Sequence, residues 1–366
     1  MKRIAAIPLF LLALSPVLAV PGWNCREGWE LLLVWSAGLG AALLMRSWWR
    51  RIFALLALIQ IVWHPAAISY ASFAMIVLGL LAVDLFREVE PDRLMAAIRI
   101  GALSLAALMA LQVIGLVPLY NKFGRPAGFF NPGSAGVYLA LSLPAFQGWW
   151  GAAIPALVLL IIATASTTAA IAAGVGIAVY FTLRLRPGWK TVAAGLAVMG
   201  SMIFLIHMVD PVDRTLGDPR FRIWRHVVQT YDSAPWGRGL GSFQQIFPYF
   251  IAGDAELTKT VEIARVGNKP VLSTDVWWKS AHNEYLQAGF ELGLPAMGFI
   301  FAFVAHLAMT AWRRRKTIGR AEAAAIAGLS AAAVSSAGWF TFHVAPLALM
   351  GLAWLGIRES ALGRSP

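Results

Sequence analysis

A chain of 366 residues with 59% hydrophobic residues, 16 Trp, 13% charged residues and a mean hydropathy of +0.68 lies outside the range of water-soluble domains. It reads as an all-α, polytopic membrane helix bundle with room for about twelve spans of ~20 residues. The net charge of +12 does not imply nucleic acid, because much of the Lys and Arg sits in short clusters between apolar runs, where it orients spans and meets anionic lipid. The single cysteine, Cys25, excludes an intramolecular disulfide.

The chain begins with a basic pair, Lys2 and Arg3, an apolar run and small residues near Ala19. This pattern suits a signal peptide, but the further spans favour an uncleaved first helix. Apolar runs follow at 30–45, 52–63, 66–86, 94–119, 134–147, 152–166, 168–183, 191–208, 284–311, 322–340 and 342–357, after the first at 5–21. With the first end inside, the clusters Arg46/Arg50/Arg51, Arg87/Arg93, Arg184/Arg186/Lys190, Arg313 to Arg320 and Arg358/Arg364 all fall on the cytoplasmic side. An even number of spans with both termini cytoplasmic satisfies every cluster. The expected organisation is one membrane domain over 1–366, with 209–281 as an outer loop capping it.

The connection Asn121 to Pro144, "NKFGRPAGFFNPGSAGVYLALSLP", is external in this topology. It holds Arg125 and Asn131 around Gly128 and a Pro132-Gly133 turn. Arg125 has two readings, a headgroup anchor that snorkels to the interface or an anion ligand. The long outer segment is rich in aromatics, which is improbable for a disordered linker, so it is expected to be ordered with short helices such as "RFRIWRHVVQTY". It also concentrates Arg220, Arg222, Arg225 and Arg238. On a helix Arg220 and Trp224 share a face and Arg222 points elsewhere. Arginine suits a diphosphate because its planar fork holds two oxygens at fixed charge, although an amphipathic helix facing lipid headgroups would carry the same residues. The run "GRGLGS" at Gly237 to Ser242 lacks the GK[ST] ending of a nucleotide loop and reads as a tight turn.

In "KSAHNEYLQAGFELGLPAMG", residues 279–298, Lys279 and His282 sit where the outer loop meets the membrane. Asn283, Gln287 and Glu291 follow at a spacing of four and form one polar stripe down a helix. A carboxylate facing lipid is costly, so Glu291 should face the protein interior or a wet cavity, either pairing with another helix or supporting a site. The other histidines show no metal-ligand spacing, and no metal or other cofactor is expected.

In order along the chain, "RPAGFFNPGSAGVYLAL", the Arg220-to-Trp224 spacing, "PWGRGLGSF" and "HNEYLQAGFELGLP" resemble the O-antigen ligase and polymerase superfamily over about residues 120–300. Ala296 and Met297 stand before Gly298 where many members have Gly directly after Pro. The resemblance implies a bacterial inner-membrane glycosyltransferase that takes glycan from an undecaprenyl-diphosphate carrier on the periplasmic face. The acceptor would be lipid A core or a growing glycan. By matching position it implies Arg125 and Arg220, with Arg222 as a neighbouring candidate, on the donor diphosphate, and His282 as the base or acceptor-orienting group. Asn131, Asn283, Glu291, Arg238 and Lys279 are supporting candidates. Many members carry a basic residue near the position of Thr167 and Thr168, and its absence makes Arg238 or Lys279 a possible substitute. Two other readings are protein O-glycosylation and, in a different class, a polytopic transporter. The transporter would be expected to repeat the Glu291 pattern in its other half, and no such copy is evident.

Overall fold

The computed structural model describes residues 49–50, 52, 56, 67–119, 121, 124–184, 197, 200–205, 219–251, 254, 257, 260–266, 269–274 and 280–363. The spans expected at 5–21 and 30–45, nearly all of that at 52–63, much of that at 191–208, and the candidate Lys279 lie outside these residues. The chain divides into two compact units, one built from 1–50, 77–211 and 304–366 and the other from 51–76 and 212–303.

The expected apolar runs appear as helices: α1 (Ala67–Glu88), α2 (Pro91–Val113), α3 (Pro132–Ser142), α4 (Ile154–Ala163) and α5 (Thr167–Arg184). Among the described residues, three helices are long and apolar enough to cross a membrane, at Pro91–Val113, Thr167–Arg184 and Leu294–Arg314. The break expected near Ser166 is real. Ala165 adopts φ +50°, and the Ser166 hydroxyl accepts a hydrogen bond from the Ala169 amide to start α5.

The long hydrophilic segment contains the expected amphipathic helix, α6 (Pro219–Gln229), and a second short helix, α7 (Phe243–Phe250). It also corrects the all-α expectation at one place: β1 (Thr260–Val266) pairs antiparallel with β2 (Lys269–Thr274), with an irregularity between Glu262 and Ala264. The strand sequences are rich in Val, Ile and Thr.

The run 284–311 is not one helix. It is split into α8 (Glu284–Leu292) and α9 (Leu294–Arg314) by Gly293, at φ +88° and ψ 168°, a conformation essentially confined to glycine. Pro295 sits in the first turn of α9, where its missing N–H would have no intrahelical acceptor. The remaining helices are α10 (Arg320–Ser336) and α11 (Ala345–Gly363).

In the first unit, small residues permit close packing. Ala331 lies against Gly176 where α10 meets α5, and a Cβ on Gly328 would fall 2.4 Å from the buried Trp354 indole. That indole N–H donates to the Leu141 carbonyl at 3.0 Å. Arg50 and Arg358 are buried rather than the surface charges the cluster pattern implied. Arg50 donates to Asp84 at 2.6 Å, Glu359 at 3.0 Å and the Leu80 carbonyl at 3.0 Å. A buried guanidinium requires such partners because desolvation would otherwise exclude its charge.

Candidate functional site

In the second unit, α6 buries Ile223 and Val227, four residues apart, in a core with Tyr231, Phe243, Phe247, Ala281 and Phe290. The Trp224 indole, also packed on that core, donates to the Ala281 carbonyl at 2.8 Å. The Tyr231 hydroxyl donates to the Leu286 carbonyl at 2.9 Å, and burial raises the phenol well above its ordinary pKa. It therefore serves as a donor and not as a base. A side chain at Gly289 would place its Cβ 2.7 Å from that hydroxyl.

His282 is half-buried at the junction between loop and helix and adopts φ +51°, uncommon for a residue other than glycine. Its neighbours hold the backbone on both sides. The Ala281 amide donates to Gln287 Oε1 at 3.1 Å, while Asn283 caps α8 by accepting from the Leu286 amide at 3.0 Å. Together with the Trp224 contact, these bonds fix the direction in which the imidazole leaves the chain.

The polar stripe is a hydrogen-bond chain. Gln287, having accepted from Ala281, donates through Nε2 to Glu291 Oε1 at 3.0 Å. The same carboxylate accepts from the Gly241 amide at 2.7 Å and the Phe243 amide at 3.3 Å. Glu291 thus faces protein, as its cost in lipid requires, and accepts from the Gln287 side chain and from backbone amides in and next to the glycine run. Gly237, Gly239 and Gly241 have φ of +95°, +104° and +75°, so the run is the tight turn expected. It lies on the end of α8, where the amides of Arg238 and Gly239 donate to the carbonyls of Phe290 and Glu291. These bonds satisfy carbonyls that a helix end leaves open. The Gly241 amide of the run and the Phe243 amide just beyond it are occupied by a carboxylate from the chain itself, which argues against the loop cradling a phosphate.

Arg238 is engaged within the protein. Its guanidinium stacks over Phe250 at 4.6 Å and Phe290 at 5.6 Å and donates to the Thr230 carbonyl at 3.1 Å and the Ser233 hydroxyl at 2.6 Å. Burial lowers its pKa. Arg222 forms an exposed pair with Asp254 at 3.2 Å, and Asp254 also meets His226 at 3.1 Å, so this face of α6 is tied to the segment after α7. Arg220, half-buried, lies one turn before Trp224 on the other face, the one whose indole reaches the residue next to His282.

Arg125 and Asn131 belong to the first unit. Asn131 is the N-cap of α3, its side-chain oxygen accepting from the Gly133 amide at 2.9 Å, a structural duty that accounts for an Asn before Pro-Gly. Arg125 is half-buried in a turn held by two amide side chains. Asn121 Nδ2 donates to the Arg125 carbonyl at 2.8 Å, and the buried Gln112 bonds to the backbone of Ala127 and Gly128. Sequence reasoning passed over Gln112. Its signal was an uncharged but strongly polar side chain in the last turn of a helix whose second half is largely apolar. Among the described residues, no group of three or more His, Cys, Asp or Glu side chains forms a candidate metal site.

Residues 152–301 match the family model described as O-antigen ligase. Over that range, less than half of the 366 residues, the chain is similar to the O-antigen ligase family. That range includes Arg220, Arg222, Arg238, His282, Asn283 and Glu291, while Gln112, Arg125 and Asn131 precede it. No curated protein matches the chain. That similarity supports, in general terms, a membrane location and a glycosyltransferase-type activity with a lipid-linked glycan donor and a glycan acceptor.

Proposed function

We propose that this O-antigen ligase-type protein transfers glycan from an undecaprenyl-diphosphate carrier to a surface-polysaccharide acceptor, lipid A core or growing glycan, at the periplasmic face of the inner membrane. The observation that carries this reading is the held backbone at His282 inside the matched range, tethered through Ala281 to Trp224 and Gln287 and through Asn283 to α8. A general base must be positioned before its pKa matters, and an imidazole at a water boundary suits neutral pH.

The reaction is a single displacement with inversion. The acceptor hydroxyl oxygen bonds to C1 of the donor sugar as the C1–O bond to diphosphate breaks; His282 takes the hydroxyl proton and undecaprenyl diphosphate leaves. Arg220, in the same unit as His282, stabilises the negative charge growing on the leaving diphosphate, and Arg125 is a diphosphate ligand by matching position alone. Arg222, bound to Asp254, would have to exchange that carboxylate for phosphate to join them. Glu291 keeps the α8 end and the glycine turn in register, and so acts on His282 at one remove.

Alanine at His282 and at Arg220, in separate variants, is expected to lower transfer in membranes by about 100-fold or more at unchanged protein level. Because Asn tolerates left-handed φ, His282→Asn should lose activity equally while leaving the fold intact. Full activity in both alanine variants overturns the assignment. Deleting the gene distinguishes acceptors: polymerised glycan left on the carrier indicates a ligase, and a single repeat still attached to core indicates a polymerase.

A further inference from the structure

We infer that Gln112 is a positioning residue for Arg125, setting where that guanidinium stands relative to the donor diphosphate. The inference rests on the role proposed above for Arg125. Gln112 lies in the last turn of α2 and is 4% exposed. A side-chain amide has two N–H donors and an oxygen with two lone pairs. All four positions are used, and all on the turn that bears Arg125. Nε2 donates to the carbonyls of Pro118 at 3.1 Å and Gly128 at 3.0 Å, while Oε1 accepts from the amides of Ala127 at 2.9 Å and Gly128 at 2.8 Å.

The turn is therefore folded around one buried group. Gly128, at φ +61°, completes the fit, since a Cβ there would lie 2.8 Å from the Leu105 side chain. On the other side Asn121 holds the Arg125 carbonyl. Arg125 thus stands between two tethers. A long, flexible side chain gains most for anion binding when its backbone is already fixed, because less freedom is lost on contact.

Only an uncharged amide suits this place. A carboxylate of the same size would keep the two amide contacts but would turn an acceptor toward the Pro118 and Gly128 carbonyls. The turn would then shift, and Arg125 with it.

The test compares Gln112→Glu, Arg125→Ala and the double variant, in purified protein acting on an undecaprenyl-diphosphate-linked glycan. Gln112→Glu should raise the KM for donor about 10-fold and leave the KM for acceptor unchanged, whereas a loss of folded enzyme alone would lower kcat and spare both. In the double variant kcat/KM should match that of Arg125→Ala within about twofold, because the tether has nothing left to position. Losses that multiply overturn the inference, as does an unchanged donor KM in Gln112→Glu when Arg125→Ala is impaired. If Arg125→Ala is itself unimpaired, the proposed role of Arg125 fails, a result separate from the other two. Should Gln112→Glu not fold, Asn121→Ala loosens the other tether and must show the same non-multiplying loss of donor affinity; multiplying losses or an unaffected donor KM there overturn the inference.

Discussion

Two glycine-containing turns in this protein are each held by one buried polar side chain, and the two side chains differ for a physical reason. In the first unit the turn presents two carbonyls and two amides to Gln112, and an amide side chain answers both kinds. In the second unit the turn presents amides alone, from Gly241 and Phe243, with the Gln287 amide as a further donor, and a carboxylate answers those. The choice between acid and amide follows from the list of backbone donors and acceptors to be satisfied. An acid in an apolar chain need not be catalytic to be required.

The comparison breaks most visibly at Glu291. Glu291→Ala strands three donors in a buried place, and at roughly 1 kcal/mol or more each, the loss should be about 3 kcal/mol. A fall in the thermal midpoint of purified protein, followed by tryptophan fluorescence, measures it; an unchanged midpoint would mean that the glycine turn does not depend on the carboxylate. The exchange of the two groups is the sharper experiment. Glu291→Gln retains one oxygen and is expected to cost about 1 kcal/mol, whereas Gln112→Glu, which faces two carbonyls, is expected to cost about 2 kcal/mol. Equal losses would show that size rather than donor and acceptor matching governs both sites. The smallest effect belongs to Asp254, whose partner Arg222 is 43% exposed. Asp254→Asn should change stability by less than about 1 kcal/mol after solvent screening, and that small change should shrink further in high salt.

Much of the second unit's local structure was legible. The spacing of four along Asn283, Gln287 and Glu291 predicted one inward stripe, and α6 appears where its alternating apolar and basic residues placed it. The hairpin was not legible because Glu262, Arg265 and Pro270 interrupt its Val- and Thr-rich strands, leaving no clean apolar alternation. The division of 284–311 at Gly293 was missed because an unbroken apolar run looks the same whether or not a glycine in it turns left-handed. Hydropathy carries no record of φ.

For the site the boundary between the two kinds of information is consistent. The sequence by itself determined the membrane class, the positions of most described helices and the rule that Glu291 could not face lipid, because composition and periodicity act through solvent and through neighbours a turn away. Only the tertiary structure decided what those groups meet. Glu291 finds amides about 50 residues earlier in the chain, Arg222 finds Asp254, Arg238 finds two phenylalanine rings, and Gln112 becomes the hub of the Arg125 turn. Burial demands a partner for each polar atom, but only chain folding brings one within hydrogen-bond reach.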